Sequence, residues 1–482
     1  MFAAVIAILW VLLCIGFAYQ ILRSQKDPDL LLFWLLFFAL VPPVAAIVYC
    51  LAGINYRRPC VRERLHSRSK SLFSRQISPE LAKRCFSDEP LDCVEESYRP
   101  LAKLLRSCGE GNKVYRDNSF EIITTGLRKR ELLLEDIRSA RKYIHIEYFR
   151  FGNDKAGREV RDLLYRKAAE GVEVRFVNNN MIGRNIPRSY FRAMGKNGIE
   201  VRPYTHIRYG WRTWLMRINC QNHRKIVVID GKVAYTGGMN LNDNYFYKWR
   251  DTHLRIEGPV IARLQASFID TWMSCGGVLN HPLPYYFDIP EATSQNPFCG
   301  KLLQVVTDAA ENPWPATQLA FEWILQNARE YVYIQTPYFV PPISFLNALK
   351  GAALRGVDVR VMLPKKVDTP LVGPANRAVY EECLEAGVRI YERDGAFTHS
   401  KTLVADDTIC VIGASNLDMR SFLLNNEVNT FVYDRETAVS CKRIFQDDIG
   451  QVQELHLLEW KENYPWYQAL ASSFMRMFYR LL

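Results

Sequence analysis

The stretch His223-Arg-Lys225-Ile-Val-Val-Ile-Asp230 returns, in pattern, as His399-Ser-Lys401-Thr-Leu-Val-Ala-Asp406, so the chain writes H-x-K-x-x-x-x-D twice. The agreement continues downstream: Asn240 and Asn416 each follow their His by 17 residues, and Asp251 and Glu427 by 28. After each Lys comes a β-branched apolar run, which predicts a buried strand. Side chains at i and i+2 leave a strand on one face, so the His and Lys of each copy point together. Lys and Asn ligate phosphate oxygens by charge and by amide donors, and His serves as nucleophile or as acid and base near neutral pH. Two such sets facing each other would cradle one phosphodiester, with Asn240 and Asn416 holding the phosphate. The acids Asp251 and Glu427 are expected each to orient the His of their own copy by accepting a ring proton. Asp230 and Asp406 end the two motifs. They are counted with His223, Lys225, His399 and Lys401 in the catalytic set, with a structural ion pair as the competing reading.

Working outward, the repeat widens. Ala140-Arg-Lys-Tyr-Ile-His-Ile-Glu147 matches Ala328-Arg-Glu-Tyr-Val-Tyr-Ile-Gln335, and Ala169-Glu-Gly-Val-Glu-Val-Arg-Phe176 matches Leu354-Arg-Gly-Val-Asp-Val-Arg-Val361. Helix-period and strand-period segments alternate in each copy, which predicts two α/β domains related by an approximate two-fold. The join is placed near the Pro-rich stretch from His281 to Pro297. His145, beside Glu147 in a strand-like segment, reads as a packed residue; His66, His206, His281 and His456 lack a partner motif, and no site is built on His253.

The N-terminus sets the expected location. Phe2 to Leu22 and Leu30 to Ile54 are uncharged runs long enough to cross a hydrocarbon core. Pro42-Pro43 could break the second, giving a re-entrant hairpin. The basic cluster Arg57, Arg58, Arg62, Arg64, Arg68 and Lys70 follows, which puts the C-terminal bulk in the cytoplasm. A net charge of +11 suits anionic lipid. Tyr464 to Leu482 reads either as an interfacial helix or as a terminal helix docked on the core. The run Tyr209 to Arg217 reads as a headgroup or membrane contact, with nucleic-acid stacking as its rival. The 12 cysteines show no C-x-x-C pair, and no Walker or dinucleotide fingerprint occurs, so no metal, ATP or NAD is expected.

These motifs resemble the phospholipase D superfamily and, more closely, bacterial cardiolipin synthases with two hydrophobic N-terminal segments. The carrying residues are Arg217 to Gly231, Trp249-Arg-Asp251-Thr-His253 with Gly258-Pro259, Gln335-Thr-Pro337-Tyr-Phe339 and Leu363-Pro364. Two departures stand out. The family's Gly-Ser-x-Asn is Gly237-Gly-Met-Asn240 and Gly413-Ala-Ser-Asn416 here, and an Asp-x-x-Gly-Ser loop is Asn180-Met-Ile-Gly183-Arg184. The resemblance implies an α/β fold class: a transmembrane helical hairpin (1–54), a juxtamembrane linker with a short helical segment (55–110), and two phospholipase D-like α/β/α sandwiches (111–290 and 291–482) sharing one site. It implies phosphatidyl transfer between two phosphatidylglycerol molecules through a phosphatidyl-histidine. Either His is a possible nucleophile, His223 being assigned that role and His399 that of general acid. Expected partners are phosphatidylglycerol and anionic membrane lipid, with no nucleic acid and no cofactor; the expected place is the bacterial cell membrane, multi-pass, with catalytic domains in the cytoplasm. Hydrolysis by the same residues, or a non-catalytic membrane scaffold, are the alternatives. The oligomeric state is open.

Overall fold

The computed structural model describes residues 2–24, 28–49, 53, 77–86, 89–109, 111–179, 186–204, 220–290, 300–369, 372–450 and 452–476. The basic cluster Arg57 to Lys70, the loop Asn180 to Arg184, the run Tyr209 to Arg217, His66, His206 and residues 477–482 lie outside them.

The first half contributes β1 (Val114–Ile123), β2 (Tyr143–Tyr148), β3 (Glu173–Asn178), β4 (Ile199–Pro203), β5 (Lys225–Ile229), β6 (Val233–Gly237) and β7 (His253–Glu257). The second contributes β8 (Lys301–Asp308), β9 (Tyr331–Gln335), β10 (Phe339–Val340), β11 (Asp358–Pro364), β12 (Arg389–Arg393), β13 (Thr402–Ala405), β14 (Ile409–Gly413), β15 (Leu417–Asp418), β16 (Glu427–Tyr433) and β17 (Gln453–Leu455). The order β1-β7-β6-β5-β2-β3-β4 recurs as β8-β16-β14-β13-β9-β11-β12, with β17 added at the edge. Antiparallel pairing of β1 with β8, Val114 opposite Gln304, joins the halves into one sheet of 15 strands. The repeat read from the sequence is thus a repeat of topology.

Every residue of β5 is buried, because helices cover both faces of the sheet. Leu133, Val160 and Phe176 pack on the outer face of the first half, and Phe321, Leu349 and Val361 on that of the second. Between the halves runs a shared layer. There Phe268 and Trp272 of the helix Ile261–Ser274 meet the same core as Ala438 and Phe445 of the helix Arg435–Ile449.

Residues 77–109, expected within a linker, belong in part to this body. Ser78 caps the helix Pro79–Cys85 by accepting from the Leu81 amide, and Leu81 is buried. In the helix Arg99–Cys108, Leu101, Ala102 and Leu105 are buried against Ala320 and Ile324 of the second half. Each buried Leu contributes about 1.5–3 kcal/mol, more than a tether needs.

At the N-terminus, α1 (Phe2–Ser24) is followed by α2 (Pro28–Leu40) and α3 (Pro42–Val48). The second hydrophobic run is therefore not one rod. It breaks at Val41, where φ is −140°, because Pro42 restricts the residue before it. Ile21, Trp34, Phe38, Ala45 and Tyr49 form a small core among the three helices, while Leu12, Ile15, Leu22, Leu36 and Ile47 are exposed. Among the described residues, which include no side chains of α1 before Trp10, no helix is long and apolar enough to cross a membrane.

The helix Trp466–Arg476 docks on the core along one side only. Met475 packs against Val340, Val372 and Ala375, whereas Trp466 (78% exposed), Tyr467, Leu470 and Phe474 face outward.

Candidate active site

Each motif opens just before its strand. Lys225 begins β5 and Lys401 directly precedes β13, so both His residues stand on the incoming segments. Those segments do not stay within their own half. Asn222 bridges to Asn426, and the His223 amide donates to the Asn426 carbonyl at 2.9 Å. In the mirrored pairing Arg250 bridges to Thr398, and the His399 amide donates to the Arg250 carbonyl at 2.7 Å. The His end of each half is thereby laid beside the acid end of the other.

This corrects the expected pairing of each acid with its own His. His223 Nδ1 lies 2.9 and 3.0 Å from the carboxylate oxygens of Glu427, and His399 Nδ1 lies 2.7 Å from Asp251 Oδ2. The acids are themselves held. The Asn425 side-chain amide donates to Glu427 at 3.3 Å, and the Thr252 amide donates to Asp251 Oδ1 at 2.7 Å. With Nδ1–H given to a carboxylate, the lone pair of each neutral imidazole is on Nε2.

The two Lys residues are buried at the same place. Lys401 Nζ lies 2.6 Å from His399 Nδ1 and 3.0 Å from Nε2, and Lys225 Nζ donates to the His223 carbonyl at 2.6 Å. Burial pushes both His residues well below their usual range, and the Lys225 and Lys401 charges push further. Burial also raises Asp251 to about 6 and Glu427 to about 7, while it lowers Lys401 to about 8 and carries Lys225 well down. Burial thus biases each of these groups toward its neutral form, a bias that an incoming phosphate anion opposes at the two lysines.

Asn240 Oδ1 accepts from the Arg150 amide at 3.1 Å, and its Nδ2, beside the Tyr245 hydroxyl, closes no ordinary hydrogen bond. The Asn416 amide donates to Ser421 Oγ at 3.2 Å, and its side-chain oxygen is unpartnered. The family's Ser position is Gly238 in the first half and Ala414 in the second, so neither half carries its hydroxyl there, and the neighbouring Ser415 Oγ takes the Asn429 side-chain amide at 2.7 Å. Gly238 sits where Ser is usual because a Cβ there would collide with the carboxylate of Asp251.

Asp230 and Asp406 do not join the His pair. Seven residues of extended chain put Asp230 roughly 20 Å from His223. Its carboxylate accepts the backbone N–H groups of Arg141, Lys142 and Tyr143 at 2.7–2.9 Å, clamping β2 to the β5 hairpin. Asp406 repeats this on Arg329, Glu330 and Tyr331 at 2.8–3.0 Å. Both sit in tight turns at positive φ, 53° and 49°, which a short Asp tolerates. Their place in the catalytic set is therefore replaced by a structural one, through backbone amides rather than an ion pair. His145 is fully buried, bonded to Gln265 at 3.1 Å and stacked on Phe268, as a packed residue.

Two residues enter the site that the motif comparison passed over. The Arg150 guanidinium lies 5.7 Å from the Phe149 ring centroid, and that ring packs edge-on against His223 at 4.7 Å. Arg150 makes no ion pair among the described residues, and its charge acts on both His residues. Tyr245 places its hydroxyl 3.3 Å from His399 Nε2. In their charged forms, three cations (Arg150, Lys225, Lys401) against two carboxylates leave one net positive charge, which matches one phosphodiester.

The sequence matches the family described as "Cardiolipin synthase, PLD-like domain" over residues 133–272 and 323–449. It is 31% identical over 476 residues to a cardiolipin synthase of Halalkalibacterium halodurans, covering 96% of this chain and 91% of the relative. It is 33% identical over 443 residues to the major cardiolipin synthase of Bacillus subtilis, covering 89% of each. Among solved structures, the fold is similar to a phosphatidylserine synthase of Haemophilus influenzae, with a TM-score of 0.59, 16% identity, and coverage of 80% of this chain and 98% of that one. Sequence, repeated topology and paired motifs agree, and the chain belongs to the cardiolipin synthase family of phospholipase D-like transferases, enzymes of phosphatidyl transfer in cardiolipin synthesis.

Proposed function

We propose that the enzyme condenses two phosphatidylglycerol molecules into cardiolipin and glycerol through a phosphatidyl-histidine. The observation that carries this reading is the crossed pair of His–carboxylate contacts, His223 with Glu427 and His399 with Asp251, beside two buried Lys residues. In the first step the Nε2 lone pair of His223 attacks phosphorus and the bond to the glycerol oxygen breaks. His399, protonated, gives its Nε2 proton to that oxygen. In the second step neutral His399 takes the proton of the terminal hydroxyl of a second phosphatidylglycerol. The new oxygen attacks phosphorus, the phosphorus–nitrogen bond breaks, and His223 is restored. This is covalent catalysis with one acid–base group used twice. Lys225, Lys401 and Arg150 neutralise charge on the phosphoryl oxygens, and Asn240 and Asn416 complete the cradle.

The membrane is the proposed location. The outward apolar side chains of α1 to α3 give lipid a surface to cover, and the basic residues after Ile54 suit an anionic cytoplasmic leaflet. The exposed Trp466, Tyr467, Leu470 and Phe474 would add an interfacial contact from the catalytic body.

The test supplies purified protein with isotope-labelled phosphatidylglycerol and identifies products by mass spectrometry. Cardiolipin with glycerol is the expected result. Phosphatidic acid with glycerol would make water the acceptor, and absence of turnover would remove the catalytic reading.

A further inference from the structure

The site is built from two copies of one plan, yet its two imidazoles are not equivalent. Tyr245 and Ser421 occupy matched positions, each five residues after the Asn of its half. Ser421 turns inward to take the Asn416 amide. Tyr245 instead reaches the other half's His, its hydroxyl 3.3 Å from His399 Nε2 and its ring edge-on to the imidazole at 5.1 Å. It is carried on the single wide turn Asn244–Lys248, closed by the Trp249 amide donating to the Asn244 carbonyl at 2.8 Å. Trp249 packs against both Tyr245 and His399, at 4.7 and 5.6 Å between centroids, so the phenol has little room to turn away. On the opposite side no side-chain donor reaches His223 Nε2 among the described residues; besides Glu427 the imidazole meets the backbone carbonyl of Ala414, an acceptor, and the ring of Phe149 packs on it.

The consequence follows from where the lone pairs are. Both Nδ1–H groups are committed to carboxylates, so attack on phosphorus must use Nε2. A lone pair that accepts an O–H is not free to attack, whereas one without a donor is. We propose that Tyr245 is a positioning residue that breaks the two-fold equivalence of the site: its hydroxyl occupies Nε2 of His399, reserving that imidazole for proton transfer and leaving attack to His223. This rests on the phosphatidyl-transfer reading above. The same hydroxyl, by rotating, accepts Nε2–H when His399 is protonated, so it steadies the ring in both states. Burial raises the phenol well above its ordinary range, and Tyr245 stays neutral throughout the working pH.

Two measurements test this, one independent of turnover. In long-range proton–nitrogen spectra of histidine-labelled protein without substrate, His399 Nε2 should show the shielding of a hydrogen-bonded acceptor and His223 Nε2 that of an unbonded one. Tyr245→Phe should move the first toward the unbonded value, with Lys401 Nζ at 3.0 Å the donor left beside it, and leave the second in place. An unbonded His399 Nε2 in the wild type, or no change in Tyr245→Phe, overturns the contact whether or not the variant is active. Next, phosphate-labelled phosphatidylglycerol is turned over and denatured without acid. The wild type should carry label on the His223 peptide alone, while Tyr245→Phe should gain label on the His399 peptide. Label confined to the His223 peptide in both proteins would mean that Tyr245 does not assign the roles. Absence of label on either peptide would remove the covalent reading and the role assignment with it, while the nitrogen shift still reports the contact.

Discussion

Replacing Glu427 by Gln should damage the half of the reaction that belongs to His223, although His399 is the histidine of the motif that Glu427 follows. Glu427 is fully buried, and both of its oxygens lie within 3.0 Å of His223 Nδ1. The amide keeps the shape but removes the charge, and its NH2 group can face the ring N–H without bonding. A buried hydrogen bond to a charged group is worth about 1.5–3 kcal/mol, which corresponds to roughly a 10- to 150-fold loss of kcat. The assay pairs steady-state cardiolipin formation in mixed micelles with nitrogen spectra of the labelled histidines. Loss of the anion should lower the His223 titration further and leave that of His399 unmoved, and Asp251→Asn should give the reverse. A Glu427→Gln variant in which His399 shifts and His223 does not would refute the crossed pairing.

Other substitutions and conditions should separate chemistry from scaffold. The pH–rate profile should be a bell. Activity falls as pH drops through about 7 to 6, where Glu427 and Asp251 take up protons and cease to stabilise an imidazolium, and falls again above about 8, where Lys401 loses its charge. A profile flat from about pH 5 to 9, a range spanning the ordinary His value, would contradict this. The signs for stability follow from the same shifts. The carboxyls are raised, so their contribution to folding is present below their ordinary values and lost as pH rises through about 6 and 7. Asp230→Asn should cost about 1.5–3 kcal/mol in denaturant unfolding while kcat of the folded protein stays near wild type, because only backbone amides are lost. Gly238→Ala should cost roughly 100-fold in kcat by displacing Asp251, as expected for a misplacement of about 1 Å, whereas Ala414→Gly in the matched position should be mild.

The repeat made the two strand-borne His–Lys pairs and the two-halved α/β fold legible from sequence. The crossed pairing was hidden for a simple reason: an offset of 28 residues in both halves fits an acid serving its own His or the other one equally well. Only the bridges Asn222 to Asn426 and Arg250 to Thr398 decide between them. Arg150 and Tyr245 were missed because comparison of copies finds what they share. Their matched positions hold Tyr338 and Ser421, so asymmetric functions leave no trace in a repeat. Asp230 and Asp406 were misplaced because a shared residue need not share the chemistry of its motif. Here the common requirement is a turn at positive φ and an acceptor for three amides. The helix Arg99–Cys108 resembles a linker in sequence because Arg, Lys and Ser dominate its exposed face, while Leu101 and Leu105 carry most of its burial.

The covalent intermediate offers the most direct test of one site built by both halves. In His399→Asn the base for the second step is gone, while the nucleophile His223 and its partner Glu427 remain. Phosphate-labelled phosphatidylglycerol, quenched without acid and digested, should therefore leave slowly formed, accumulating label on the peptide that contains His223. The peptide spanning position 399 has no imidazole left in this variant to carry a phosphoryl group. Absence of label from the His223 peptide, with wild-type turnover confirmed in parallel, would therefore contradict the account.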